Sequence, residues 1–348
     1  MVVHGGTRTI SVAAAAVLAF CAAGCSQAPD TPGEVVVYTS VDEVFARPIA
    51  EQFEQETGIR VRLVPDTEET KSTGLLNRLV AERARPQADV FWSGDPVRAA
   101  ILKSNGISEP YRSPHAEGLP ALYSDSEGHW TGFSARARVL IYNTTLVPES
   151  ERPTSVMDLL DQRFAGQTCV ANPLFGTTSM HAAALFQVLG EESARDFFER
   201  FIANGGTILS SNGEVRRRVA AGDFALGITD TDDFNVAFQE GKPVGVVYPD
   251  REGIGTLIIP NAAVLIAGAP NPAGGKQFID FLLRAETETA LASSAAAQMP
   301  LRAGVAVPDH VRPAASITAM QVDYAALADE LERLSDGFLK DWVIRHSP

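Results

Sequence analysis

The chain has 348 residues, with 29 Lys and Arg against 43 Asp and Glu and a formal net charge of −14. That balance excludes a nucleic-acid partner, whose phosphates would be repelled by the chain's own field. The six histidines are scattered, and no His-x-x-His or Cys-x-x-Cys spacing occurs, which argues against a zinc site.

In chain order, Met1–Thr9 is polar, and Ile10–Ala23 is an apolar, Ala-rich run. The run is too short to span a bilayer, which takes about 20 apolar residues, and has the length of a secretory signal's apolar core. Ala22-Ala23-Gly24-Cys25 resembles a bacterial lipobox, the alternative being an ordinary signal peptide with a coincidental cysteine. The expectation is a signal peptide over 1–24, lipidation at Cys25 and a polar tether over 25–33. Loss of Arg8 with the signal leaves 28 basic against 43 acidic residues, or −15. Only Cys169 then remains beside the lipid-bearing cysteine, so the fold must stand on its own core.

Strand and helix patterns alternate through the body. Val35–Tyr38 reads as a buried strand, Ala46–Thr57 as a helix stopped by Gly58, Arg60–Val64 as an alternating strand and Thr73–Arg83 as a helix. Ala88–Trp92 is a third strand and Pro96–Ser104 a third helix. This β-α-β-α-β order predicts a doubly wound parallel sheet covered by helices. Further strands are expected at Arg138–Asn143, Gln167–Ala171, Ala225–Thr229 and Ala262–Ala267. Helices are expected at Val156–Asp161, Ser179–Leu189, Glu191–Asn204, Val215–Ala221, Phe234–Gln239, Gly274–Leu283, Glu286–Ser294 and, as one long final helix, Tyr324–Asp341. In such folds ligands sit at the carboxyl ends of strands, here the loops after Tyr38, Trp92, Ala171 and Thr229.

Several stretches carry a family resemblance: Val37-Tyr38-Thr39-Ser40-Val41-Asp42-Glu43, Phe53-Glu54-Gln55-Glu56-Thr57-Gly58-Ile59, Pro86–Trp92, Arg136–Asn143 and Gly275–Leu282. Over roughly 35–300 the chain resembles the extracellular solute-binding proteins of ABC importers, nearest in pattern to the ferric-iron-binding branch. The resemblance implies the type II periplasmic binding protein fold: two doubly wound α/β lobes joined by hinge strands, with a ligand cleft between them. The implied layout is one lobe over 34–136 plus 262–320, a second over 137–261 and a C-terminal helix over 321–348. It also implies a monomeric, non-enzymatic receptor outside the cytoplasm, with an ABC permease as partner, no cofactor and hinge closure around the ligand. Ferric-binding members carry adjacent tyrosines after the strand matching Gly227-Ile228-Thr229. Here the place reads Asp230-Thr231-Asp232-Asp233-Phe234, so by spacing Asp232 and Asp233 stand where the tyrosines would be.

The candidate ligand-binding residues fall into two groups. Asp230, Asp232 and Asp233 form an acidic cluster that suits a metal ion or an ammonium group, or else caps the helix that follows. Asp42 and Glu43, with Thr39 and Ser40, open the first helix and either cap it or line the cleft. Asp232, Asp233 and Glu43 are the metal-ligand candidates. Opposite these, Gly176, Thr177 and Thr178 open a helix and suit an anion; the resemblance makes this the loop that holds a synergistic anion. Arg136 can hold a carboxylate or phosphate, or pair with a structural acid. Lys71, Ser72 and Asn212 are weaker candidates, and Trp92 and Trp130 read as core.

An acidic wall facing an anion-holding wall suits a ligand with both signs of charge. Two such ligands are a ferric-type cation with its anion and a zwitterion bearing phosphonate, phosphate or carboxylate. A ligand sensor signalling to a membrane partner is the competing reading. A secreted hydrolase is a remote one, since no nucleophile–base pair or Gly-x-Ser-x-Gly motif is present.

Overall fold

The structure is a computed structural model that describes residues 1–5, 33–67 and 73–347. Cys25, most of the tether, Lys71 and Ser72 lie outside the described residues. Among the described residues no helix is long and apolar enough to cross a membrane.

The opening run is β1 (Glu34–Thr39), α1 (Glu43–Thr57), β2 (Arg60–Pro65), α2 (Thr73–Glu82), β3 (Val90–Ser93), α3 (Pro96–Ser104) and the short β4 (Ser108–Glu109). A long strand follows, β5 (Thr131–Asn143), then β6 (Thr168–Ala171), α4 (Gly176–Leu189), α5 (Glu191–Ala203), β7 (Thr207–Leu209) and α6 (Asn212–Ala221). The chain continues with β8 (Leu226–Asp230), α7 (Thr231–Gln239), β9 (Val244–Val247) and β10 (Ile258–Ile266). It ends with α8 (Pro272–Leu282), α9 (Ala285–Ser293), α10 (Tyr324–Asp336) and α11 (Phe338–His346). The single final helix expected from the sequence is thus two. Gly337, a poor helix former, separates them.

The sheet runs β2-β1-β3-β10-β5-β8-β6-β7. It is mixed, not parallel as the alternation predicts. β1 pairs in parallel with β2 and β3, and β6 with β7 and β8, but β10 and β5 enter antiparallel. β5 is the member that changes company. Residues 131–137 pair with β10, whereas Arg138–Tyr142 pair with β8 and Leu140–Asn143 with β9. All thirteen of its residues are buried. The apolar pattern reveals only the second half, because the first, Thr-Gly-Phe-Ser-Ala-Arg-Ala, mixes polar and small side chains.

Packing on either side of this crossing is dense and aromatic. In the β1–β3 half, Phe53 of α1 meets Phe278 of α8 edge-on at 5.1 Å, and Trp92 stacks beside Phe133. In the β6–β8 half, Trp342 of α11 lies edge-on to Phe198 of α5, also at 5.1 Å. Each such wholly buried ring contributes about 2 kcal/mol of transfer free energy. α10 packs on both α3 and α4, and the Tyr324 hydroxyl donates to the Ile258 carbonyl of β10 at 3.0 Å.

Candidate functional site

The cleft forms where β1, β3, β6 and β8 end. Residues i and i+2 of a strand share a face, so Arg136 and Arg138 of β5 emerge on one side. Arg136 leaves from the stretch paired with β10 and Arg138 from the stretch paired with β8.

Asp230, the last residue of β8, lies between them. It stands at the N-cap of α7 but makes no side-chain cap there. Its carboxylate accepts instead from Arg138 Nη1 at 2.8 Å, Arg136 Nη1 at 3.4 Å and the Thr177 hydroxyl at 2.6 Å. Burial pushes this carboxyl up, but the two guanidiniums and the Thr177 hydrogen bond outweigh it and hold the group below the ordinary range, hence ionised. Arg138, fully buried, also donates to Thr177 Oγ1, to Asn212 Oδ1 at 3.1 Å and to Thr178 Oγ1 at 3.3 Å. Asn212 Nδ2 returns a bond to Thr177 Oγ1 at 2.9 Å. One arginine therefore sets the orientation of four side chains on three elements, α4, α6 and β8.

Arg136 reaches the other way. Its Nη2 donates to the Gly94 carbonyl, and its Nη1 lies 3.6 Å from Asp232 Oδ2. Burial works against its charge, but Asp232, Asp230, Asp95 and Asp233 more than compensate and raise its pKa. Asp233 accepts from the Thr229 hydroxyl at 2.9 Å, with Arg216 at 3.9 Å. Carboxylate oxygens of Asp230, Asp232 and Asp233 lie within 4.8 Å of one another, a spacing that could hold a cation. Gly94 N donates to Ser40 Oγ at 2.8 Å, which ties the β1 and β3 loops together.

The loop after β6 supplies the opposite lip. Gly176 adopts φ +56, and a Cβ built on it meets nothing within 4 Å. α4 starts there with no side-chain cap among the described residues, so its first backbone N–H groups, which have no intrahelical partner, face the lip of the cleft without one. Arg98 of α3, itself buried, braces this start from behind: it donates to Ser179 Oγ at 2.7 Å and to the Gly176 carbonyl at 3.3 Å. Beneath it His181 is buried; desolvation, then Arg138, push its pKa down to about 3, so the ring is neutral.

A solvent-connected cleft brings together Ser40, Asp42, Arg136, Gly176, Thr177, Asp230, Asp232 and Asp233 from the sequence candidates. It adds Asn172, Phe175, Ser210 and Ser211, and the weaker candidate Asn212 is also among its lining residues. Three candidates sit elsewhere. The Thr39 hydroxyl is buried against the Trp92 carbonyl at 3.0 Å, where it holds the β1–β3 junction. Glu43 pairs with Arg47 one turn along α1 on an exposed helix face, and so does not join the aspartates as a metal ligand. Thr178 stands one layer back, on Arg138 and Asn212. The two expected walls are not opposed: Thr177 and Arg136 both bond directly to Asp230. Arg138, Asp95 and Arg98 escaped the sequence reading. The Ala-Arg-Ala-Arg alternation over 135–138 could have revealed the first.

No tyrosine lines the cleft. Comparison with known proteins gives the context. The chain is 29% identical over 299 residues to Iron uptake protein A1 of Synechocystis sp., a match covering 81% of each chain. It is 29% identical over 276 residues to a putative 2-aminoethylphosphonate-binding periplasmic protein of Salmonella typhimurium, covering 76% of each. Among solved structures, iron-bound HitA from Pseudomonas aeruginosa superposes with a TM-score of 0.80 at 24% identity, covering 89% of this chain and 99% of that one. Residues 48–319 match the sequence model of the family described as bacterial extracellular solute-binding protein. With that match spanning most of its length and a fold shared with type II periplasmic binding proteins, the chain belongs to the bacterial extracellular solute-binding protein family.

Proposed function

We propose that this protein is the receptor of an ABC importer for a small organic zwitterion, one bearing a phosphonate, phosphate or carboxylate and an amine. The observation that carries the reading is the pairing of an α4 N-terminus at Gly176 that lacks a side-chain cap among the described residues with a cluster of aspartates in one tyrosine-free cleft. Backbone N–H groups and the helix dipole at Gly176–Thr177 suit an anionic head group. Asp42, Asp232 and Asp233 suit the ammonium. The Salmonella relative, by its name, binds such a compound, which supports the reading. The relatives named for iron favour a ferric-type cation with its anion, and the closeness of the three aspartates is the feature in its favour. Against it, Asp230 is already held by two guanidiniums.

Titration calorimetry of the mature protein with 2-aminoethylphosphonate and its phosphate and carboxylate analogues tests this. Saturable one-to-one binding by one of them is expected. Stoichiometric iron in the purified protein, with no response to any zwitterion, would return the site to metal. The ligand is delivered to a permease by closure of two lobes about β5 and β10, and Cys25 carries the lipid that keeps the receptor at the membrane. Cys25→Ser should move the protein from the membrane fraction to the soluble one, and retention on the membrane would remove the lipid anchor from this account.

A further inference from the structure

The three aspartates of the cleft resemble a metal site by spacing alone, but each already faces a guanidinium. Asp230 Oδ1 meets Arg138 Nη1 at 2.8 Å, and Asp233 Oδ1 lies 3.9 Å from Arg216 Nη1. Arg136 Nη1 stands 3.4 Å from Asp230 Oδ2 and 3.6 Å from Asp232 Oδ2. Arg136 thus bridges two of the three carboxylates that a metal ion in this cluster would bind, at about 2.0–2.6 Å from each. Three negative charges thus meet three positive ones.

We propose that Arg136 determines the specificity of the cleft: its guanidinium is a resident cation on Asp230 and Asp232 that bars a metal ion and leaves the cleft to solutes that bring their own counter-charge. The inference rests on the reading of this cleft as the solute site. Three features make Arg136 suited to the task. Its charge is permanent, so unlike a lysine or histidine it cannot vacate the carboxylates by losing a proton. Its position is fixed from the far side by the Gly94 carbonyl, and a Cβ at Gly94 would meet its Nη2 at 2.9 Å, so the glycine keeps room for it. Its Nε is buried without a partner among the described residues, so the guanidinium has no surplus of acceptors to draw it elsewhere. A metal ion would have to displace a buried guanidinium that the Gly94 carbonyl holds in place. A zwitterion displaces nothing, because its anionic group adds to Arg136 and its ammonium to the acids.

The test uses Tb³⁺ alone as the probe of a hard cation, read by sensitised luminescence and by titration calorimetry. The wild type should show no saturable binding in the cleft. Arg136→Met should gain Tb³⁺ affinity about tenfold or more, and Asp232→Asn in the same chain should abolish the gain. Arg136→Lys, which keeps the charge, should gain nothing. An Arg136→Met protein that folds but binds Tb³⁺ no better than the wild type overturns the proposal. Should that variant fail to fold, Arg136→Gln, which keeps a polar side chain without the charge, replaces it with the same expected gain. The wild type alone is also decisive: saturable Tb³⁺ binding that disappears in Asp232→Asn, with Arg136 intact, overturns the proposal. The zwitterion titration of the wild type is separate, so loss of the metal-exclusion role leaves the transport reading to stand or fall on its own data.

Discussion

Two buried clusters of acid and arginine lie along β5, only a few residues apart, and they do different work. At the cleft, Arg136 and Arg138 hold Asp230, and hydroxyl and amide groups complete the shell. Upstream, Glu288 of α9 is wholly buried and accepts from the backbone N–H groups of Ser134 at 3.0 Å and Leu301 at 2.8 Å, with Arg302 Nε at 3.5 Å. Ser134 has φ +34, and β5 and β10 slip register between Pro260 and Asn261. Asn261 Nδ2 secures the same bulge by donating to the Ser134 carbonyl and to Gln298 Oε1. The first cluster arranges side chains around a cleft. The second fixes a backbone distortion in the crossing strands, with its carboxylate wholly buried. A buried ion pair is therefore not by itself a functional signal; what distinguishes the two is whether the carboxylate bonds to side chains at a surface or to peptide groups in the interior.

The sharpest way to separate them is to delete each acid. Glu288→Ala strands the two buried N–H groups of Ser134 and Leu301, while Arg302 keeps its carbonyl acceptors, and should lower unfolding free energy by about 4 kcal/mol in urea titrations. Glu288→Gln, which keeps an acceptor, should recover much of that. A loss below about 1 kcal/mol for the alanine variant would mean the bulge holds without it. Asp230→Ala leaves Arg138 buried, with hydroxyl and amide oxygens but no carboxylate. It should lower stability by about 3 kcal/mol and also abolish solute binding, which Glu288→Gln should spare. Equal binding losses in both would erase the distinction between cleft and bulge.

Protons probe the same contrast more gently. His181 sits behind Arg138 with its pKa pushed down to about 3, against about 6.5 in the unfolded chain. Between these values the unfolded chain takes up a proton that the native state refuses. The folded state is therefore at full strength above pH 6.5 and loses up to about 1.4 kcal/mol per pH unit as the pH falls towards 3. His181→Gln should flatten the stability profile between pH 6 and 4. Asp230 acts in a lower window: its depressed folded pKa keeps its contribution intact above about 3.9 and loses it only as the pH falls below that. If the His181→Gln profile stays as steep as the wild type's, the charge behind the cleft is compensated elsewhere.

What could be read from the sequence follows from what leaves a local trace. β1, β2, β3 and the helices α1 to α3 announce themselves by apolar period and by stops such as Gly58, and they lie within a residue or two of expectation except at the start of α1. The first half of β5 does not, because Ser134, Arg136 and the small residues beside them are buried for reasons of partnership, not hydrophobicity. The cleft was legible by rule, since the loops at strand ends collect Ser40, Gly176 and Asp230. Its wiring was not. Whether Asp230 caps a helix, binds a cation or answers two arginines depends on residues 92 and 94 positions away in the chain. Glu288 looked like any polar helix residue, and only the fold shows that its carboxylate is interior.

The smallest effect expected tests the lip of the cleft alone. Gly176 holds φ +56, where an L side chain is disfavoured, yet an added Cβ meets no atom within 4 Å. Gly176→Ala therefore adds strain without a clash and should lower stability by about 1 kcal/mol. Because the neighbouring N–H groups of α4 are the proposed anion seat, solute affinity should fall severalfold, with the anionic half of the ligand responsible. Analogues lacking phosphonate or carboxylate should then bind wild type and variant alike. If the alanine variant binds the intact zwitterion unchanged while its stability drops as expected, the uncapped helix start is only a consequence of the turn, and the anion must be held by Arg136 and the hydroxyl groups.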